Sequence, residues 1–195
     1  VRFANDLKIS GQVTIEGRSA EPDGSLSSTD WRTVTPGLFR TLGVPLRAGR
    51  DFVPADGVEG APRVVIVSES MAKRFWPGVD PIGRRLRPGR TTEWRTVVGV
   101  AADLHHLSLD DVPNPMVYYP FDGGWNPMSV GVRIASDAST VAPAIREAVR
   151  AIDPQLPMGT VRRVDELVAG SLGARRFNAT LLCAFAAIAM ILAAA

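Results

Sequence analysis

Apolar and polar positions alternate along residues 11–16, where Val13 and Ile15 sit between Gln12, Thr14 and Glu16. A period of two places the apolar pair on one side of an extended chain and predicts a strand with one buried face. Residues 17–30 lose the pattern. They are rich in Ser, Asp, Glu, Gly and Pro, the composition of a surface loop. Residues 31–34 predict a second strand. The period then changes to that of a helix, with Leu38, Phe39 and Leu42 on one face. Thr35 is suited to cap its free amides, Pro36 to occupy its first turn, and Gly43 to end it.

Residues 47–62 are irregular and turn-rich. Residues 63–67, an apolar run behind Arg63, are short enough for a buried strand. Ser68 follows as a helix cap, and Met71, Ala72, Phe75 and Trp76 form the inward stripe of the helix it starts. Pro77-Gly78 ends that helix, and residues 80–83 make a turn. Residues 84–87 and 93–100 predict two strands joined across Pro88-Gly89. Val117, Tyr118 and Tyr119 lie between prolines and predict an edge strand. Residues 129–134 alternate again, with Val130, Val132 and Ile134 on one side. The clearest amphipathic helix spans about residues 140–152. Its stripe is Val141, Ile145, Ala148, Val149 and Ile152, and Pro143 is expected in its first turn, where no hydrogen bond is lost. A strand is predicted near residues 160–163, and Asp165 is suited to cap a last helix. The tetrapeptide Trp-Arg-Thr-Val occurs at residues 31 and 94, on predicted strands both times, with nothing else aligned around it.

Beyond Arg176 no residue is charged up to Ala195. Nineteen helical residues at about 1.5 Å each span about 28 Å, close to the roughly 30 Å hydrocarbon core of a bilayer. No Pro interrupts residues 165–176, so the last helix is expected to run on into this segment as the start of a transmembrane helix. The pattern as a whole predicts an α+β fold of two small mixed lobes. One is built from both ends, residues 1–50 plus 125–172. The other is strand-rich and inserted, residues 51–124. Residues 173–195 are the membrane segment.

Composition narrows the function classes. The chain of 195 residues carries 22 basic and 20 acidic side chains, a balance too even for a nucleic-acid surface. The one cysteine, Cys183, lies in the apolar tail, so no intrachain disulfide and no thiolate metal site can form from it. His105 and His106 are the only histidines. As neighbours on an extended chain they point to opposite sides, and no acidic cluster frames them at a metal-binding spacing. Asp103, Asp110 and Asp111 flank them in what reads as a solvated loop. The serine-elbow and phosphate-loop motifs are absent, and Gly170-Ser171-Leu172-Gly173 is neither. Catalytic, cofactor-binding and metal-ligating residues are therefore assigned as none. Arg84, Arg85, Arg87 and Arg90 form the densest charge cluster, and it reads as the polar face and turn of a hairpin, with an anion- or partner-binding ridge as the alternative. Trp125, beside Pro127 and Met128, is a loop aromatic available for contact.

Several segments in order carry a resemblance. Val34-Thr-Pro-Gly-Leu-Phe-Arg-Thr-Leu-Gly-Val-Pro-Leu-Arg-Ala-Gly-Arg-Asp-Phe52 resembles the hallmark stretch of the MacB-like periplasmic core domain. Val65-Ile-Val-Ser-Glu-Ser-Met-Ala-Lys-Arg-Phe-Trp-Pro77 with Asp80-Pro-Ile-Gly83 resembles its next block. Val97-Val-Gly-Val100 with Asp103, then Tyr118-Tyr-Pro120, then Ile152-Asp-Pro154 and Val164-Asp165 before Arg175-Arg176-Phe177, resemble the remainder. The likeness is to permeases of the FtsX-like/MacB-type ABC transporter group. It implies a non-catalytic domain between the first two transmembrane helices, on the outer side of the cytoplasmic membrane, with residues up to about 172 outside. It implies a porter-like βαβ lobe and an inserted lobe. It also implies a second permease copy or half, a cytoplasmic ATPase and an adaptor protein as partners, and a mechanical role in export. The other function classes that the residues allow are a membrane-anchored ligand-binding or sensor module and a membrane-tethered enzyme.

Overall fold

The computed structural model describes residues 10–18, 27–89, 91–104, 114–124, 129–134 and 138–155. It divides into two units, residues 5–104 with 112–133, and residues 1–4 with 105–111 and 134–195. The first unit holds seven strands: β1 (Ser10–Ile15), β2 (Ser27–Val34), β3 (Leu46–Gly49), β4 (Val64–Ser68), β5 (Arg85–Pro88), β6 (Arg95–Ala101) and β7 (Met116–Pro120). Helix α1 (Leu38–Leu42), a 3-10 turn (Pro54–Gly57) and helix α2 (Glu69–Phe75) connect them. The described part of the second unit is led by helix α3 (Ala138–Ile152).

The strands lie in the order β3-β6-β4-β7-β2-β1-β5, and β5 also pairs with β6. The ladder thus returns to β6 and closes a ring of six strands, with β3 added beside it. One edge of β6 is shared: β5 pairs at residues 95–96 and β3 at 99–101. Two glycines permit this crowding. A Cβ at Gly49 would stand 2.1 Å from the carbonyl of Val98, and one at Gly99 would stand 2.4 Å from that of Arg50. Gly49 also has φ 71°, a left-handed conformation that glycine adopts without strain.

Side chains leave the two faces of the ladder into separate clusters. Val13, Ile15, Val65, Val67, Leu86, Val97 and Val117 face one way and are covered by Met71, Phe75 and Trp76 around α2. Val34, Val64, Ile66, Met116 and Tyr118 face the other way and are covered by Phe39 of α1 and by Phe52. Strand β4 is buried at all five positions because both of its faces are covered and both of its edges are paired. This explains its continuous apolar sequence.

Several expectations hold. Ser68 accepts from the Met71 amide and caps α2, and Gly43 closes α1 in the left-handed conformation. Others change. Strand β7 is central, between β2 and β4, and not an edge. Pro115 precedes the strand and Pro120 is its last residue, so neither proline removes a ladder bond from the middle. Thr35 does not cap α1 with its side chain; Gly37 holds the cap position, and Asp51 accepts from the Gly37 amide at 3.2 Å. Residues 129–134 lie in no strand. Pro143 lies inside α3, beyond its first turn. Strands from residues 10–49 and from 64–120 share one ladder. Among the described residues no helix is long and apolar enough to cross a membrane, and the expected span at 173–195 lies outside them.

Candidate functional site

Ser68 is buried at the junction of β4 and α2. Its Oγ accepts from the Met71 amide at 3.2 Å and from the Met116 amide at 3.0 Å. With both lone pairs engaged, its proton is left to donate to Ser70 Oγ at 2.9 Å. Asp103 Oδ1 accepts from the Ser70 amide at 2.9 Å. Asp103 and Ser68 thus serve the free amides at the start of α2 and tie it to β7. The serine is a saturated acceptor, with its proton committed, and not an activated nucleophile. Among the described residues no three His, Cys, Asp or Glu side chains group as metal ligands. His105, His106, Asp110, Asp111, Trp125 and Cys183 lie outside the described residues.

A second cluster fixes the crossing from β3 to β4. Arg50 donates from both terminal nitrogens to Asp56, at 2.7 and 3.0 Å, and Val53 donates its amide to the same carboxylate at 2.8 Å. The Arg50 hydrogen bonds hold the Asp56 carboxyl below its usual range. Asp51 accepts from the Gly37 and Phe52 amides. The hallmark stretch of residues 34–52 therefore works as a clasp: its last polar residues hold the start of α1, while Phe39 and Phe52 seal one core face.

The arginine cluster lies on the β5–β6 hairpin. Arg85 makes a two-point ion pair with Glu16, the residue after β1, its Nε at 2.8 Å from Oε2. Those hydrogen bonds hold the Glu16 carboxyl below its usual range. The guanidinium carbons of Arg85 and Arg87 stand 5.9 and 5.0 Å from the centre of the Trp94 ring. Arg84 is exposed, and Arg90 lies outside the described residues. The hairpin anticipated for these residues is present; that Trp94 gathers two of its guanidiniums was not anticipated. Strand alternation signals it, since Trp94 comes one residue before β6 and Arg85 and Arg87 share one face of β5.

Arg95 leaves the opposite face of β6. Its guanidinium lies 5.0 Å from the centre of the Tyr119 ring, and Trp31 meets that ring edge-on at 6.0 Å. Burial lowers the affinity of Arg95 for its proton and raises the Tyr119 phenol to about 12. The Tyr118 hydroxyl is buried with no hydrogen-bond partner among the described residues, and burial raises its pKa as well.

A model of the family described as the MacB-like periplasmic core domain matches residues 5–152. The chain belongs to that family. The match covers both core clusters, the residue 34–52 clasp and the arginine hairpin, and ends with the last residue of α3. The fold agrees with that of the periplasmic region of MacB from Actinobacillus actinomycetemcomitans, at 18% identity and a TM-score of 0.54 over 73% of this chain. The chain spans 63% of the length of that structure. Two further solved structures are similar. A domain of a putative permease protein from Porphyromonas gingivalis shares 19% identity, with a TM-score of 0.49 over 80% of this chain and 76% of its own. The extracellular domain of the noncanonic ABC-type transporter YknZ from Gram-positive bacteria shares 18%, with a TM-score of 0.47 over 75% of each. No curated protein matches the sequence.

Proposed function

We propose that this chain is the extracytoplasmic domain of an ABC-type permease of the inner membrane. In this reading it performs no catalysis. It moves with a cytoplasmic ATPase and passes that motion to a substrate outside the membrane, paired with a second permease copy or half. Membership in the MacB-like periplasmic core family, over residues 5–152, is the observation that carries the reading. The closed ring of six strands suits the role, since strands paired to a neighbour on each side move as one body and give a lever little to bend. The uncharged segment after Arg176 supports a membrane connection. An uninterrupted helix from about residue 165 into that segment would carry displacement across the boundary, where a flexible loop would absorb it.

Location is tested in intact cells that make the full-length permease. A single cysteine replaces exposed Thr91, with Cys183→Ser to remove the native thiol. A membrane-impermeant maleimide that passes the outer envelope should label it without lysis. Labelling only after the inner membrane is opened overturns the reading. Coupling is tested with a Pro-Gly pair inserted after Val168. Transport is expected to fall about tenfold, equal to about 1.4 kcal/mol, while ATP hydrolysis continues. Unchanged transport overturns the mechanical role.

A further inference from the structure

The register of β1 against β5 leaves one arginine without a carboxylate. Ile15 stands opposite Leu86 and Thr14 opposite Arg87, so Glu16 comes beside Arg85 and pairs with it. Two residues along the same face, β1 offers Thr14, whose hydroxyl donates to the Gly89 carbonyl at 3.3 Å. Arg87 therefore rests on Trp94 with no ion pair among the described residues, and its Nε is buried without a hydrogen-bond partner. Stacking holds the guanidinium plane in place, so little rotamer freedom remains to be lost when an acceptor arrives. The neighbouring Glu16–Arg85 pair shows which acceptor this face takes: a carboxylate gripped at two points.

The geometry points to the Arg87–Trp94 ridge as a docking point for an acidic segment of a partner protein. Three observations choose that occupant. Both edges of β5 are already hydrogen-bonded, to β1 and β6, so a partner meets side chains and cannot add a strand. None of the described exposed large apolar residues (Val53, Val58, Val79, Val130, Val132, Ile134 and Ile152) lies on β1, β5 or β6, so beyond the half-buried Trp94 the ridge has no apolar group to insert into lipid. Residues 84–92 carry no acidic residue, and with Arg85 neutralised by Glu16 the charges of Arg84 and Arg87 are left as a local excess that attracts negative charge.

Binding of a hexaglutamate peptide to the whole chain tests this, read from the Trp94 resonance of fluorotryptophan-labelled protein, with hexalysine as control. Saturable binding of hexaglutamate is expected, weakened by added salt and reduced about tenfold or more by Arg87→Gln. Arg87→Lys should recover only part of the affinity, because an ammonium keeps the charge and loses the two-point grip. Arg40→Gln, which removes an exposed charge from α1, should leave binding unchanged and serves as the folded control. Absence of saturable binding, or equal binding by Arg87→Gln, overturns the proposal. So does binding to phosphatidylglycerol vesicles that falls with Arg87→Gln while the peptide does not bind. Failure here leaves the maleimide result untouched, so the two proposals stand or fall separately.

Discussion

Strand β4 and residues 129–134 look alike in sequence and end differently. Both are short, rich in β-branched residues and bounded by turn formers. Val64–Ser68 is paired on both edges and buried at every position. Residues 129–134 lie in no strand, and Val130 and Val132 are 77% and 52% exposed. Alternation describes where side chains point, not whether a neighbouring edge is free to receive the backbone. β4 lies between β6 and β7 because helix α2, capped by Ser68, returns the chain toward the same ladder. A run of apolar residues becomes core only where partner strands and covering helices arrive from elsewhere in the chain.

The largest effect that tests this contrast is Ile66→Ala. Ile66 is fully buried in the cluster with Phe39 and Tyr118, and its truncation should cost about 2–5 kcal/mol in urea unfolding. A loss under about 1 kcal/mol would mean that the second core face is loosely packed. Ser68→Ala comes next, at about 2 kcal/mol, because the Met71 and Met116 amides lose their acceptor inside the protein. Hydrogen exchange at Met116 should quicken with it; unchanged exchange would show that β7 is held by its strand pairs alone.

A pH series examines the clasp beside that core. Arg50 keeps the folded-state carboxyl of Asp56 below its unfolded value. The pair's contribution is therefore complete above the ordinary aspartate range, near about pH 4, and is lost as pH falls through the lower folded value. Asp56→Asn should lower stability at neutral pH and flatten its decline in acid. An acid limb as steep as that of the parent would exclude Asp56 as a source. The smallest effect belongs to Val132→Ala, expected within about 0.5 kcal/mol. A loss like that of Ile66→Ala would erase the contrast between the two segments.

Local features of the fold were legible and distant ones were not. The helix face of Met71, Phe75 and Trp76, the Ser68 cap and the Gly43 stop each depend on residues within one turn of each other. The cap of α1 escaped because its acceptor, Asp51, stands fourteen residues beyond Gly37. The prolines around β7 suggest an edge strand, yet they fall at and beside its ends, where a central strand tolerates them. The arginine cluster was visible as a charge run, but its division into a paired Arg85 and an unpaired Arg87 was not. That division is set by a strand register between residues 69 positions apart.

By itself the sequence determined the character of each segment: its period, its breakers, its caps and the ordered motifs that mark the family. Side-chain periodicity and backbone sterics act over a few residues and are written directly into neighbouring positions. Only the tertiary structure decided which strands are central, that the ladder returns to β6, that residues 129–134 stay outside it, and which arginine meets a carboxylate. Those outcomes depend on edges brought together from distant parts of the chain, and a shift of one residue in a register would reverse every one of the faces involved.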